Sequence, residues 1–308
     1  MQLRAQLSDR IIGQEAMLDR LLIGLLTGGH VLLESLPGLA KTTAVTALAR
    51  GVNAEFKRVQ FTPDLLPGDL TGSEIYDAQQ GSFRFVEGPL FKQMILADEI
   101  NRAPPKVQSA LLEAMAERQI TVGGQTRALP EVFFVLATQN PLEQNGTYPL
   151  PEAQLDRFLL HVVLDYPSED QELAILQLDR AASTSPPAVI GTEDILAARA
   201  EVKTVHIDEA LQRYIVQLVG ATRALDRIRP EYGDYLRAGA SPRASLALAQ
   251  AASAYAFLQG RAHVIPSDIQ QLAPDVLRHR LVLGFAAQSA GVTANEIIQW
   301  VLAAVALP

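Results

Sequence analysis

Residues 31–43, Val-Leu-Leu-Glu-Ser-Leu-Pro-Gly-Leu-Ala-Lys-Thr-Thr, decide how this chain is read. Val31, Leu32 and Leu33 form the apolar run of a buried strand. Ser35 to Ala40 are small or bend-forming, and Lys41-Thr42-Thr43 opens a helical pattern that runs to Arg50. Strand, small-residue turn, Lys-Thr and helix is the layout of a phosphate-binding loop. The backbone N–H groups of Pro37-Gly38-Leu39-Ala40-Lys41-Thr42-Thr43 that are free to donate would face phosphate oxygens. Lys41 would reach the β and γ phosphates, and the Thr42 hydroxyl would ligate Mg²⁺. The strict pattern has glycine where this chain has Ser35 and Ala40, so the stretch alone also fits an ordinary strand-turn-helix with a surface lysine.

A second stretch weighs against that plainer reading. Met94-Ile95-Leu96-Ala97-Asp98-Glu99 is an apolar strand ending in two acids. An aspartate at such an end can hold Mg²⁺, directly or through water, and the adjacent glutamate can polarise an attacking water.

The neighbouring residues carry a family resemblance. Pro37-Gly38-Leu39-Ala40-Lys41-Thr42, Asp98-Glu99-Ile100-Asn101-Arg102-Ala103-Pro104-Pro105-Lys106, Ala137-Thr138-Gln139-Asn140-Pro141 and Glu152-Ala153-Gln154-Leu155-Asp156-Arg157-Phe158 occur in order. Together they resemble the MoxR family of AAA+ ATPases over nearly the whole chain. Ser35 departs from the family's usual glycine. The resemblance implies an α/β fold: a parallel-sheet αβα nucleotide-binding domain over residues 1–182, then a smaller all-helical lid over 183–308. It also implies ATP and Mg²⁺ as cofactors and a ring, hexameric by expectation. Ile12 becomes an adenine contact, although it fits a core position equally. Asn140 becomes the sensor that orients the water or γ-phosphate. Arg157 becomes an arginine finger for the adjacent subunit, and Arg243 a lid sensor of the γ-phosphate. Arg102 reads better as a structural ion pair.

Composition sets wider bounds. With 308 residues the chain can build two domains, and 48% hydrophobic against 19% charged residues places it among globular proteins. It has no cysteine, so neither disulfides nor thiolate zinc sites are expected. The five histidines lack metal-ligand spacing. No run approaches the roughly 20 apolar residues of a membrane span, and residues 1–13 lack a secretory pattern, so a cytoplasmic location is expected. A net charge of -8 disfavours a general nucleic-acid scaffold.

Along the chain, apolar spacing predicts a helix over 14–28 closed by Gly28-Gly29, then a strand over 54–61 and a turn-rich stretch over 62–69. Phe83-Arg84-Phe85 alternates, placing two aromatics on one face. Residues 71–90 resemble the hairpin that this AAA+ branch inserts into its second helix, and they fit a routine hairpin as well. Pro104-Pro105 opens a helix, and Gly123-Gly124 turns a second hairpin within 119–130. Residues 132–137 and 158–164 are further apolar strands. Ser183-Thr184-Ser185-Pro186-Pro187 is the expected linker, and helices follow it. These include a series Leu211, Ile215, Leu218, Leu225 and a helix from Ser241-Pro242 to Gly260.

Three functions fit these observations. The first is a ring-forming ATPase with chaperone-like remodelling or maturation of a protein client, the resemblance adding a von Willebrand factor A domain protein as partner. The second is a nucleic-acid motor or a magnesium-chelatase-like motor subunit of the same branch, against which the charge of -8 stands. The third is a regulatory subunit with little turnover, against which stand Asp98, Glu99 and Arg157.

Overall fold

The apolar runs become strands and the amphipathic stretches become helices. The computed structural model describes residues 2–8, 11, 13–35, 41–79, 81–141, 146–180 and 190–308, without the side chains of 2, 8, 41, 175 and 178–180. Ile12, Pro37, Gly38, Leu39, Ala40 and the linker 183–187, with the 182/183 boundary, lie outside the described residues. The chain divides into two units. One is Met1–Arg157 with Val162–Ala197, and the other is Phe158–His161 with Ala198–Pro308.

The first unit begins with α1 (Gln2–Ser8), α2 (Glu15–Thr27), β1 (Val31–Ser35), α3 (Lys41–Gly51), β2 (Phe56–Gln60) and α4 (Pro67–Thr71). It continues with β3 (Gly72–Asp77), β4 (Ser82–Glu87), β5 (Met94–Asp98), α5 (Pro105–Glu117), β6 (Gln119–Val122), β7 (Gln125–Ala128) and β8 (Phe134–Gln139). Then come α6 (Glu152–Leu155), β9 (Leu160–Leu164), whose first two residues are assigned to the second unit, and α7 (Glu169–Arg180). The main sheet runs β2-β5-β8-β1-β9. β2, β5, β8 and β1 pair in parallel, so their C-terminal ends share one edge. Val31–Leu33, Met94–Ala97 and Phe134–Ala137 are all buried, as expected of strands covered on both faces.

Two local features refine the sequence reading. Residues 67–69, expected as the end of a turn-rich stretch, open α4, which runs on to Thr71 where the hairpin was expected to begin. Proline suits the first helical position, and the Asp69 carboxylate accepts the Leu66 N–H at 2.8 Å. The β3–β4 hairpin follows directly, so it sits between α4 and the 3₁₀ turn Pro89–Phe91. Gly72 opens it at φ 86°, and a Cβ there would lie 2.2 Å from the Val86 carbonyl oxygen. Only glycine fits that base. At the tip of β6–β7, Gly123 and Gly124 both have positive φ, as a two-residue hairpin turn requires.

The second unit carries the rest of α8 (Thr192–Val202), then α9 (Glu209–Ala221), α10 (Leu225–Ile228), β10 (Leu236–Ala238), α11 (Pro242–Leu258) and α12 (Pro266–Leu277). It ends with β11 (Val282–Leu283), α13 (Phe285–Ser289) and α14 (Ala294–Ala304). The helices expected there are present, joined by one short antiparallel pair, β10–β11. Those two strands span three and two residues, too few for periodicity to reveal. The apolar series also divides: Leu211, Ile215 and Leu218 lie on α9, whereas Leu225 starts α10. Ser241 caps α11, its hydroxyl accepting the Arg243 N–H at 3.2 Å. Buried His279 meets the Phe158 carbonyl at 3.1 Å. Burial first, then the nearby Arg280 and His161, holds its pKa well below 6.5 and keeps the ring neutral.

Candidate active site

Parallel pairing brings the ends of β1, β8 and β5 side by side. Leu33 pairs with Thr138, Ala97 with Ala137, and Gln60 of β2 with Asp98. The loop after β1 leads into α3, where Lys41, Thr42 and Thr43 form the first turn, Thr42 half-buried and Thr43 exposed. This edge is where ligands bind in open α/β sheets.

Asp98 ends β5 with its side chain 12% exposed. Its Oδ1 accepts the Thr138 hydroxyl at 2.6 Å, and its Oδ2 accepts Arg58 Nη2 at 2.5 Å and Nε at 3.1 Å. Glu99 follows in the left-handed region at φ 57°, ψ 51°. That backbone costs a non-glycine residue about 1–2 kcal/mol, so the surroundings must hold it. The hold is visible: the Glu99 N–H donates to the Thr138 hydroxyl oxygen at 2.9 Å. Gln60 Nε2 donates to Glu99 Oε2 at 2.6 Å, and Arg102 Nε lies 3.1 Å from the same oxygen. The Glu99 side chain is 26% exposed, so water reaches it, whereas Asp98 lies deeper. One hydroxyl thus sets both acids.

The remaining expected site residues are placed as follows. Asn140 is half-buried immediately beyond β8. Arg157 is exposed just beyond α6, and its Nη1 donates to the Leu112 carbonyl of α5 at 2.5 Å. Arg243 is exposed in the first turn of α11, in the second unit. Arg102 forms the ion pair with Glu99. Sequence reasoning passed over Arg58 and Gln60, and gave no role to Thr138 although it stands within the Ala137–Pro141 motif. Arg58 and Gln60 share a face of β2 by strand alternation, with Arg58 Nη2 donating to Gln60 Oε1 at 3.2 Å. Their meeting with the acids depends on the β2–β5 register, which no local pattern discloses.

The profile of the ATPase family associated with various cellular activities (AAA) matches residues 30–160, and that of the AAA lid domain matches residues 233–301. Chaperone MoxR1 of Mycobacterium tuberculosis is 46% identical over 97% of this chain and 79% of its own length. Protein MoxR of Paracoccus denitrificans is 35% identical over 91% of this chain and 87% of its own. The chain belongs to the MoxR family of AAA+ ATPases. A solved chain from Cytophaga hutchinsonii, provisionally assigned as an ATPase, is 44% identical and superimposes with a TM-score of 0.93, covering 100% of this MoxR-family chain and 94% of its own. Among the described residues no helix is long and apolar enough to cross a membrane.

The family implies a nucleotide with Mg²⁺. Among the described residues no group of three or more His, Cys, Asp or Glu could hold a metal. Mg²⁺ does not need such a group, because it keeps several waters and takes one or two protein oxygens plus phosphates. Asp98 supplies hard carboxylate oxygens and Thr42 a hydroxyl, a donor set that fits.

Proposed function

We propose that this chain hydrolyses ATP in an oligomeric ring and uses the cycle to remodel or mature a protein client. The observation that carries the reading is the strained, hydrogen-bonded Asp98-Glu99 turn at the ligand-binding edge of the sheet. In this reading Lys41 and the N–H groups of the 37–43 loop hold the phosphates. Thr42 and Asp98 hold Mg²⁺, which when bound neutralises charge on the phosphates. Glu99 takes the proton of the attacking water, with Gln60 and Arg102 fixing its carboxylate. Thr138 keeps the two acids in place. Asn140 orients the water or the γ-phosphate, Ile12 packs on adenine, and Arg243 reads the γ-phosphate. Arg157 serves the neighbouring subunit's nucleotide, where such an arginine accelerates hydrolysis about 10³-fold or more.

Replacing Glu99 by Gln separates the roles. Turnover falls by about 10²-fold or more while ATP affinity persists, whereas Lys41→Ala loses binding itself. Wild-type turnover by Glu99→Gln contradicts the assignment. The ring is tested by mixing Arg157→Ala subunits with Lys41→Ala subunits, each inactive alone. Recovery of hydrolysis in mixed rings, confirmed by mass, supports an arginine acting in trans.

The client is a protein in this reading, for which a homologue named a chaperone and the exposed apolar hairpin β3–β4 speak. A partner with a von Willebrand factor A domain and a hexameric ring belong to the same proposal. The rival motor is tested by titrating single-stranded DNA at rising salt. Tight, steeply salt-dependent binding overturns the protein-client reading.

A further inference from the structure

Helix α5 joins two parts of the first unit that the proposed reading assigns to different nucleotide sites. The Gln108 carboxamide on this helix is fully buried. Its Nε2 lies 3.3 Å from the Ile100 carbonyl, 3.1 Å from that of Ala103 and 2.9 Å from that of Tyr148. All three partners are acceptors, so the nitrogen and not the oxygen must face them. Ile100 and Ala103 belong to the turn that follows Glu99, while Tyr148 belongs to the segment leading to α6 and Arg157. The same two pieces are tied by backbone, the Tyr148 N–H donating to the Asn101 carbonyl at 2.6 Å.

From Tyr148 the segment runs along α5. Gln154 Nε2 donates to the Ser109 hydroxyl at 3.3 Å, and Arg157 Nη1 to the Leu112 carbonyl at 2.5 Å. Residues 108, 109 and 112 lie within about one helical turn, so one rigid surface holds all three links. The two amide hydrogens are shared among three carbonyls, and breaking the bridge is costly because the Ala103 and Tyr148 carbonyls lose these bonds inside the protein, while that of Ile100 still accepts the Ala103 N–H. A surface-only role does not require such a bridge.

We infer that Gln108 is a positioning residue with two charges to serve: it fixes the turn that carries Glu99 and the segment that presents Arg157 as one body. The acid of a subunit's own site and the arginine lent to its neighbour then move together. This rests on the proposed action of Arg157 in trans.

The test uses mixed rings of full-length subunits. Gln108→Met keeps the volume and removes the donors. In the first arm it is placed in the Lys41→Ala subunit, which hydrolyses nothing and only lends Arg157. Recovered activity is expected to fall about tenfold. In the second arm it is placed in the Arg157→Ala subunit, which supplies the working site. Turnover is expected to fall several-fold with ATP Kd unchanged, a split that general loss of fold does not produce. Losses in both arms support the inference. A loss in one arm alone, or in neither, overturns it. No recovery in the control mixture lacking the Gln108 change removes the trans arginine, and the inference with it. Should Gln108→Met not fold, the shorter Gln108→Asn, which keeps the amide but withdraws it from the three carbonyls, is placed in the same two arms. Losses of about twofold or more in both arms are expected, and full activity in either arm overturns the inference.

Discussion

The acidic turn and the β3–β4 hairpin lie in the same unit and are built on opposite terms. At Asp98-Glu99 both carboxylates and the strained amide are engaged by Thr138, Arg58, Gln60 and Arg102. On the hairpin, Ile75, Tyr76, Phe83 and Val86 are 49%, 56%, 69% and 37% exposed. Register places Tyr76 and Phe83 opposite each other on one face and Ile75 opposite Arg84 on the other, so the outer part of the hairpin exposes apolar side chains on both faces. The rings of Tyr76 and Phe83 meet edge to face at 5.3 Å. Precise bonding suits chemistry, where a misplaced acid loses rate. Loose apolar exposure suits a surface that meets something outside the domain.

Three substitutions sharpen this contrast. The largest effect is expected from Thr138→Val, which keeps the shape but removes the hydroxyl serving both acids. The loss of a buried partner costs about 1–3 kcal/mol, and ~1.4 kcal/mol reaching the transition state is a tenfold fall in turnover. Steady-state kinetics with ATP checks it, and an unchanged kcat would break the claim that the turn is held from β8.

The second substitution separates two aromatics that alternation alone treats as equals. Phe83 and Phe85 share a face of β4, yet only Phe85 is half-buried, 5.7 Å from the Phe91 ring and with the Arg127 guanidinium 4.1 Å from its centre. Phe85→Ala is expected to loosen the hairpin base, raising amide exchange across residues 72–87 several-fold. Equal exchange in the Phe85→Ala protein would make the hairpin uniform. The smallest effect is expected from Phe83→Ala, with basal hydrolysis within about twofold of wild type and only client stimulation lost. A larger basal loss would place the hairpin inside the chemistry.

The two regions also differ in how legible they were. Asp98-Glu99 ends an apolar run, so sequence located the acids, and the Gly123-Gly124 turn located the second hairpin. The parallel sheet was expected from the family resemblance. Arg58, Gln60 and Thr138 were not assigned roles, because their use depends on which strands become neighbours and in what register. Gln108 was hidden for the same reason: its partners lie up to 40 residues away. Pro67 looked like a turn residue because α4 has five residues, too few for periodicity, and its cap comes from Asp69.

The central claim is that hydrolysis depends on the acidic turn and not on the hairpin. A single-turnover measurement tests it most directly, by following hydrolysis of pre-bound labelled ATP in three proteins. The wild type and the Phe83→Ala/Phe85→Ala double variant should hydrolyse their bound ATP at rates within about twofold, while Glu99→Gln should retain ATP and be slower by about 10²-fold or more. Hydrolysis by Glu99→Gln at the wild-type rate, or a hairpin variant as slow as Glu99→Gln, would contradict the account.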